Sequence, residues 1–154
     1  MMMKKLFFIL VIFFNFNYAY SLIEVDITRG NLDPLPIAVS PLHVDAQSDN
    51  LQDIKVKELG DLISSVIESN FKSTGLFNPL NKDAFVQKPD IAHLKPRFED
   101  WSLITAQALV TGKILIKDNK LKVEFRLWDV AAAKEMVALA FTTTPTNWRR
   151  VAIL

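Results

Sequence analysis

Between Leu121 and Asp129 the chain alternates: Leu121, Val123, Phe125 and Leu127 fall on one side, and Lys122, Glu124, Arg126 and Trp128 on the other. Successive side chains of a strand point to opposite faces, so this run predicts a strand with one apolar and one half-exposed face. Ala108 to Lys117 before it is rich in β-branched residues, and Asp118-Asn119-Lys120 between them is a turn. Together they predict a hairpin. A second turn at Ala131 to Lys134 leads to a third strand, Glu135 to Thr144, which Pro145 ends. Such a sheet has an apolar face to cover. The cover lies upstream. From about Gln52 to Ser73, the residues Val56, Leu59, Leu62, Ile63, Val66 and Ile67 recur at spacings of three and four, the single stripe of an amphipathic helix. Gly60 inside it costs about 1 kcal/mol against alanine, which points to close packing at that turn. Gly75 stands where a left-handed helix end belongs.

Shorter elements fill the rest. Leu22 to Thr28 alternates, with Ile23, Val25 and Ile27 opposite Glu24 and Asp26. Ile37 to Leu42 reads as a second short strand in which Pro41 marks a sheet edge or a strand end. Phe77 to Pro79 is a short extended link, Asn81 to Phe85 one helical turn, Lys88 to Pro96 a loop, and Arg97 to Ile104 a short helix carrying Phe98 and Trp101. Thr146 or Asn147 is the expected N-cap of a helix that begins at Trp148. The fold expected is α/β (α+β): a mixed, mostly antiparallel sheet of about five strands with the long helix packed on one face.

The first residues are read separately. Lys4 and Lys5 precede the nine apolar residues Leu6 to Phe14, and Ala19-Tyr20-Ser21 supplies the small-x-small pattern of a peptidase site. The apolar run is too short to span a bilayer, which takes roughly 18 residues or more. Residues 1–21 are therefore expected to be a cleavable signal peptide, cut after Ser21 or, as second choice, after Ala19. This predicts a location outside the cytoplasm and no transmembrane segment after cleavage. Without the leader, Lys and Arg number 16 against 17 Asp and Glu, so no basic footprint for nucleic acid is present. There is no cysteine. An exported domain without disulfides must be held by its core, and a lipid-anchored amino terminus is not expected.

Catalytic patterns are sparse. His43 and His93 are far apart in sequence and neither has a ligand spacing. Thr111-Gly112-Lys113 lacks the upstream glycine of a phosphate loop and falls within a strand. Ser64 and Ser65 are helical, with no nucleophile elbow. Glu99-Asp100 reads as a solvated turn and Arg149-Arg150 as a solvated helical face. Trp101 is expected in the core, and Trp128 exposed or covered by another element. No enzyme activity is expected.

Four ordered segments carry a family resemblance. They are Leu59-Gly60-Asp61-Leu62-Ile63-Ser64-Ser65-Val66-Ile67 with its exit Ser73-Thr74-Gly75-Leu76-Phe77-Asn78-Pro79-Leu80; Asp100-Trp101 with Ala106 to Gly112; Leu121 to Val130; and Phe141 to Ala152. In this order they resemble the TolB amino-terminal domain. The resemblance implies a periplasmic, non-catalytic adaptor of the Tol-Pal envelope system, linking TolA to Pal. Its implied roles are outer-membrane integrity and cell division, with use in colicin import. Members carry a six-bladed β-propeller after this domain, and the propeller binds the lipoprotein Pal. The sequence is expected to comprise residues 22–154 of the domain with its last helix incomplete and the propeller absent, so Pal binding is expected only through that absent part. An incomplete last helix would leave part of the sheet bare. No cofactor, metal ligand or catalytic residue is implied. The TolA contact is attributed to the mature amino terminus, which corresponds to Leu22, Ile23, Glu24, Val25, Asp26 and Ile27. A free strand with one apolar face fits addition to a partner's sheet edge. The same strand also fits completion of the domain's own sheet, or both as two states. An alternative is an envelope assembly factor resembling the activators of cell-wall synthases or the curli secretion proteins; those are usually lipoproteins, and the missing cysteine weighs against it.

Overall fold

A computed structural model of the chain describes residues 33–48 and 55–153. The leader, the alternating segment Leu22 to Thr28 and the expected start of the long helix at Gln52 lie outside the described residues.

The elements run in the order β1 (Leu35–Val39), β2 (His43–Val44), a 3-10 turn (Val56–Glu58), α1 (Leu59–Ser73), β3 (Phe77–Pro79), a 3-10 turn (Lys82–Ala84), α2 (Pro89–Ala92), α3 (Phe98–Leu103), β4 (Ala108–Lys117), β5 (Lys120–Asp129), β6 (Lys134–Thr143) and a 3-10 segment (Pro145–Ala152). The strands form one six-stranded sheet in the order β3-β1-β4-β5-β6, with β2 also paired to β4. The long ladders β4–β5 and β5–β6 are antiparallel, whereas β1 pairs parallel with β3 and β4, and β2 parallel with β4. The sheet is therefore mixed and mostly antiparallel, as expected.

Two of the six strands, β2 and β3, were not expected, and each has a physical origin. The expected strand Ile37 to Leu42 breaks after Val39, because Pro41 offers no N–H to the ladder. The chain rejoins the same strand of the sheet at His43, opposite Lys113. Pro41 thus marks a strand end, and β1 is interior rather than an edge. Phe77–Pro79 is a strand and not a free link, paired with Leu35–Ile37. The expected loop Lys88 to Pro96 contains the helical turn α2, which starts on Pro89 with its φ already set for a helix.

The long helix packs where Leu42 crosses it. The Leu42 N–H donates to the Gly60 carbonyl at 3.3 Å. A Cβ on Gly60 would collide with the Leu42 carbonyl oxygen, which explains the glycine inside α1. At the other end Gly75 has φ +70°, the left-handed exit expected of it. Leu59, Ile63 and Ile67 face the sheet and are buried, with Val56 on the turn before them. Leu62, expected in the stripe, is 43 % exposed, because it lies at the rim of the stripe.

Two cores flank the sheet. The larger joins α1 to Ile37, Val39, Val110, Ile114, Leu121, Val123, Phe125 and Val151. The smaller gathers Ala38, Ala92, Trp101, Ala106, Leu109 and Val130 under α2 and α3. The last element begins at Pro145 with Thr144 as N-cap, three positions before Trp148, and it is a kinked 3-10 segment, with Asn147 outside helical geometry. The Asn147 amide donates to Thr144 Oγ1 at 2.9 Å, which places Asn147 in the turn.

Candidate interaction surfaces

The candidate TolA-contacting residues, Leu22, Ile23, Glu24, Val25, Asp26 and Ile27, lie outside the described residues. Among the described residues, four places gather chemistry or open surface.

The first is an apolar groove of about 270 Å³ between α1 and the outer strands, lined among others by Ile67, Phe71, Phe77, Phe125, Leu127 and Leu139. Its register explains its polarity. Leu139 sits opposite Phe125 and Val137 opposite Leu127, so β6 continues the apolar face of β5. Val137 and Leu139 are 43 % and 45 % exposed, so this part of the apolar face is uncovered among the described residues.

The second is the edge strand β6 itself. Its ten residues lie at one end of the sheet path, and their exposure extends along most of the strand. Unpaired backbone groups on such an edge are a template for strand addition. Lys134 and Glu135 are its charged residues, both at its start.

The third is a histidine pair. His43 on β2 and His93 at the end of α2, far apart in sequence, stack with ring centroids 4.4 Å apart and planes 6° from parallel. The His93 ring is oriented by Nδ1, which lies 3.0 Å from the Pro89 carbonyl oxygen; that oxygen only accepts, so Nδ1 carries the proton. Burial, and then the neighbouring His93, hold the His43 pKa below its ordinary value, against the pull of Asp45 and Asp90. Nothing in the spacing of 50 residues foreshadows the pair, because the break at Pro41 and the turn at Pro89 create it.

The fourth is polar. Lys82 Nζ donates to Ser64 Oγ at 2.9 Å and to Ser65 Oγ at 3.2 Å, and lies 3.4 Å from Glu68 Oε1. Both hydroxyls already donate to the Asp61 carbonyl, at 3.0 and 2.8 Å. Their oxygens are thus hydrogen-bond acceptors for the Lys82 ammonium. Burial raises the Glu68 pKa, and Lys82 opposes the rise. The cluster pins the 82–84 turn to α1.

The remaining sequence candidates are structural in their surroundings. Thr111 lies inside β4 and accepts from the Trp128 indole N–H at 2.9 Å. Trp128 is half-covered, with Phe98 edge-on to it, and Trp101 is buried. Asp100 pairs with Arg97 at 2.6 Å. The Arg149 guanidinium lies over the Trp148 ring, 5.0 Å from its centroid. Sequence reading missed Gln87, which is buried and accepts from both the Arg97 N–H and the Trp101 indole at 2.9 and 3.0 Å. A single glutamine in an irregular segment carries no periodic signal that would have found it. Among the described residues no group of three or more His, Asp or Glu could hold a metal ion, and no helix is long and apolar enough to cross a membrane.

Comparison with known proteins gives a consistent result. The sequence model of the TolB amino-terminal domain matches residues 23–136. A Tol-Pal system protein TolB from Pelagibacter ubique (strain HTCC1062) is 67% identical over 135 residues, covering 86% of this chain and 30% of that relative. The chain thus spans about a third of the length of that relative. Among solved structures, TolB from Acinetobacter baumannii superposes with a TM-score of 0.58 at 17% identity, covering 78% of this chain and 26% of that one. The LpoB C-terminal domain from Escherichia coli superposes with a TM-score of 0.53 at 7% identity, covering 75% and 87%, which is a likeness of fold. The family match over residues 23–136, with a relative at 67% identity, shows that this chain belongs to the TolB amino-terminal domain family.

Proposed function

We propose that the chain acts in the periplasm as a non-catalytic binding domain of the Tol-Pal envelope system, contacting TolA through residues 22–27. The observation that carries this reading is the 67% identity to a Tol-Pal system TolB over 135 residues, 86% of this chain. Within that system the domain passes contacts from TolA towards Pal, and Pal is bound by the propeller that full-length members carry. Outer-membrane integrity, division and colicin import are the processes in which such a link serves. The alternation of Leu22 to Ile27 supports strand addition to a partner sheet: the main chain gives affinity, and Ile23, Val25 and Ile27 give register. The polar clusters agree with a binding role, since the serine hydroxyls of α1 are committed to a helix carbonyl and a lysine. The likeness to LpoB is one of fold and lends no support to a second function.

The test is binding to purified TolA carboxy-terminal domain, with and without residues 22–27. Loss of binding on deletion is expected. Equal binding by both forms would overturn the assignment of the site, and no binding by either would overturn the TolA contact.

A further inference from the structure

The stacked histidines join two parts of the chain that little else holds together. β2 is two residues long, and α2 is a single turn anchored to the core through the small side chain of Ala92. Ile91 and Leu94 on either side of His93 are 51 % and 70 % exposed, so they add little burial. The rings lie face to face, which two neutral imidazoles tolerate and two imidazolium ions do not. We propose that His43 and His93 form a clasp that holds the Pro89–Leu94 segment against β2 at neutral pH and opens on acidification.

The groups facing the pair set the direction. Asp45 beside β2 and Asp90 on α2 attract a proton to His43, whereas Lys113 opposite it on β4 and His93 itself repel one, and burial adds to the repulsion. The net effect lowers the His43 pKa in the closed clasp. The open state, with His43 solvated, therefore binds the proton more tightly. The clasp is fully favoured above the ordinary histidine value of 6.5 and loses strength as pH falls below it.

Opening has a structural consequence. His93 and Leu94 form one wall of a small cleft whose floor is Gly112, Lys113, Glu124 and Arg126. When that wall leaves, the charged strip of β4 and β5 is uncovered. The device converts proton concentration into exposure of that strip.

The experiment is amide hydrogen exchange of the chain at pH 7.5 and pH 5, corrected for intrinsic rates, with NMR titration of both histidines. Expected is a loss of protection at Ile91 to Leu94 at the lower pH that α1 does not share, because the open clasp binds the proton more tightly than the closed one. His43→Gln should flatten the pH response while leaving protection in α1 unchanged. Equal protection at both pH values would overturn the proposal, as would an unchanged pH response in His43→Gln. If that variant does not fold, the titration decides: a His43 resonance with an ordinary midpoint overturns the clasp, and a lowered midpoint that tracks the amides of Ile91 to Leu94 supports it.

Discussion

On the face of the sheet toward α1, the inward positions are Ile37, Val39, Val110, Ile114, Leu121, Val123 and Phe125, large side chains that close-pack on Leu59, Ile63 and Ile67. On the opposite face the neighbouring positions are Ala38, Leu109, Thr111, Lys113 and Arg126, and the cover consists of two short helices pinned by Trp101. The first face is held by apolar area, with about 1.5–3 kcal/mol for each large aliphatic side chain buried. The second has a smaller apolar core around Trp101 and adds specific polar bonds: Gln87 accepts from the Trp101 indole and the Arg97 amide, and Trp128 donates to Thr111. A face built on area tolerates local change in proportion to the area lost. A face with the smaller core depends more on single bonds, and the proposed clasp belongs to it.

Substitutions can break or sharpen this contrast. Ile63→Ala removes fully buried volume from the α1 face and should cost about 2–5 kcal/mol, measured by urea unfolding. A loss below 1 kcal/mol would mean that the α1 face is not the principal core. Trp101→Phe keeps most of the volume on the other face but deprives Gln87 Oε1 of one donor. About 1–3 kcal/mol is expected, with exchange rates rising across residues 88–103 more than in α1. Gly75→Ala forces a Cβ into a positive φ at the helix exit, with open space around it, and should cost about 1 kcal/mol through backbone strain alone. Val137→Lys in the apolar groove should change unfolding free energy by less than about 0.5 kcal/mol, yet reduce self-association and dye binding, because it breaks up an exposed patch.

The smallest effect concerns Glu68. Its pKa is raised in the folded chain, so the folded state holds the proton more tightly than the unfolded one. Stability from this group is greatest below the unfolded value of 4.5 and falls as pH rises through the window up to the folded value. Glu68→Gln should flatten that fall in a pH series of unfolding curves; a steeper fall in the variant would contradict the assignment.

The regular parts of this fold were legible because their periods are unambiguous. β4 was read with its observed ends, and β5 and β6 within one residue, since each strand has strong alternation or β-branching and a turn at each end. The α1 stripe and the role of Gly60 followed from helical spacing and from the cost of a glycine there. What escaped was created by tertiary pairing of short pieces. β2 and β3 are two and three residues long, too short for any period to show, and they exist because β4 and β1 offer them partners. α2 was hidden by two prolines that read as loop, although Pro89 is suited to a first helical turn. The histidine pair and the Gln87 knot were invisible for the same reason: both depend on chain segments brought together by those short elements.

The proposed partner contact is in residues 22–27, outside the described residues. The most direct test is an NMR titration of the isotopically labelled chain with TolA carboxy-terminal domain. The account predicts chemical-shift changes concentrated in residues 22–27, with α1, the groove and the β6 edge unmoved. Shifts that run along β6 or the groove while residues 22–27 stay unchanged would contradict it.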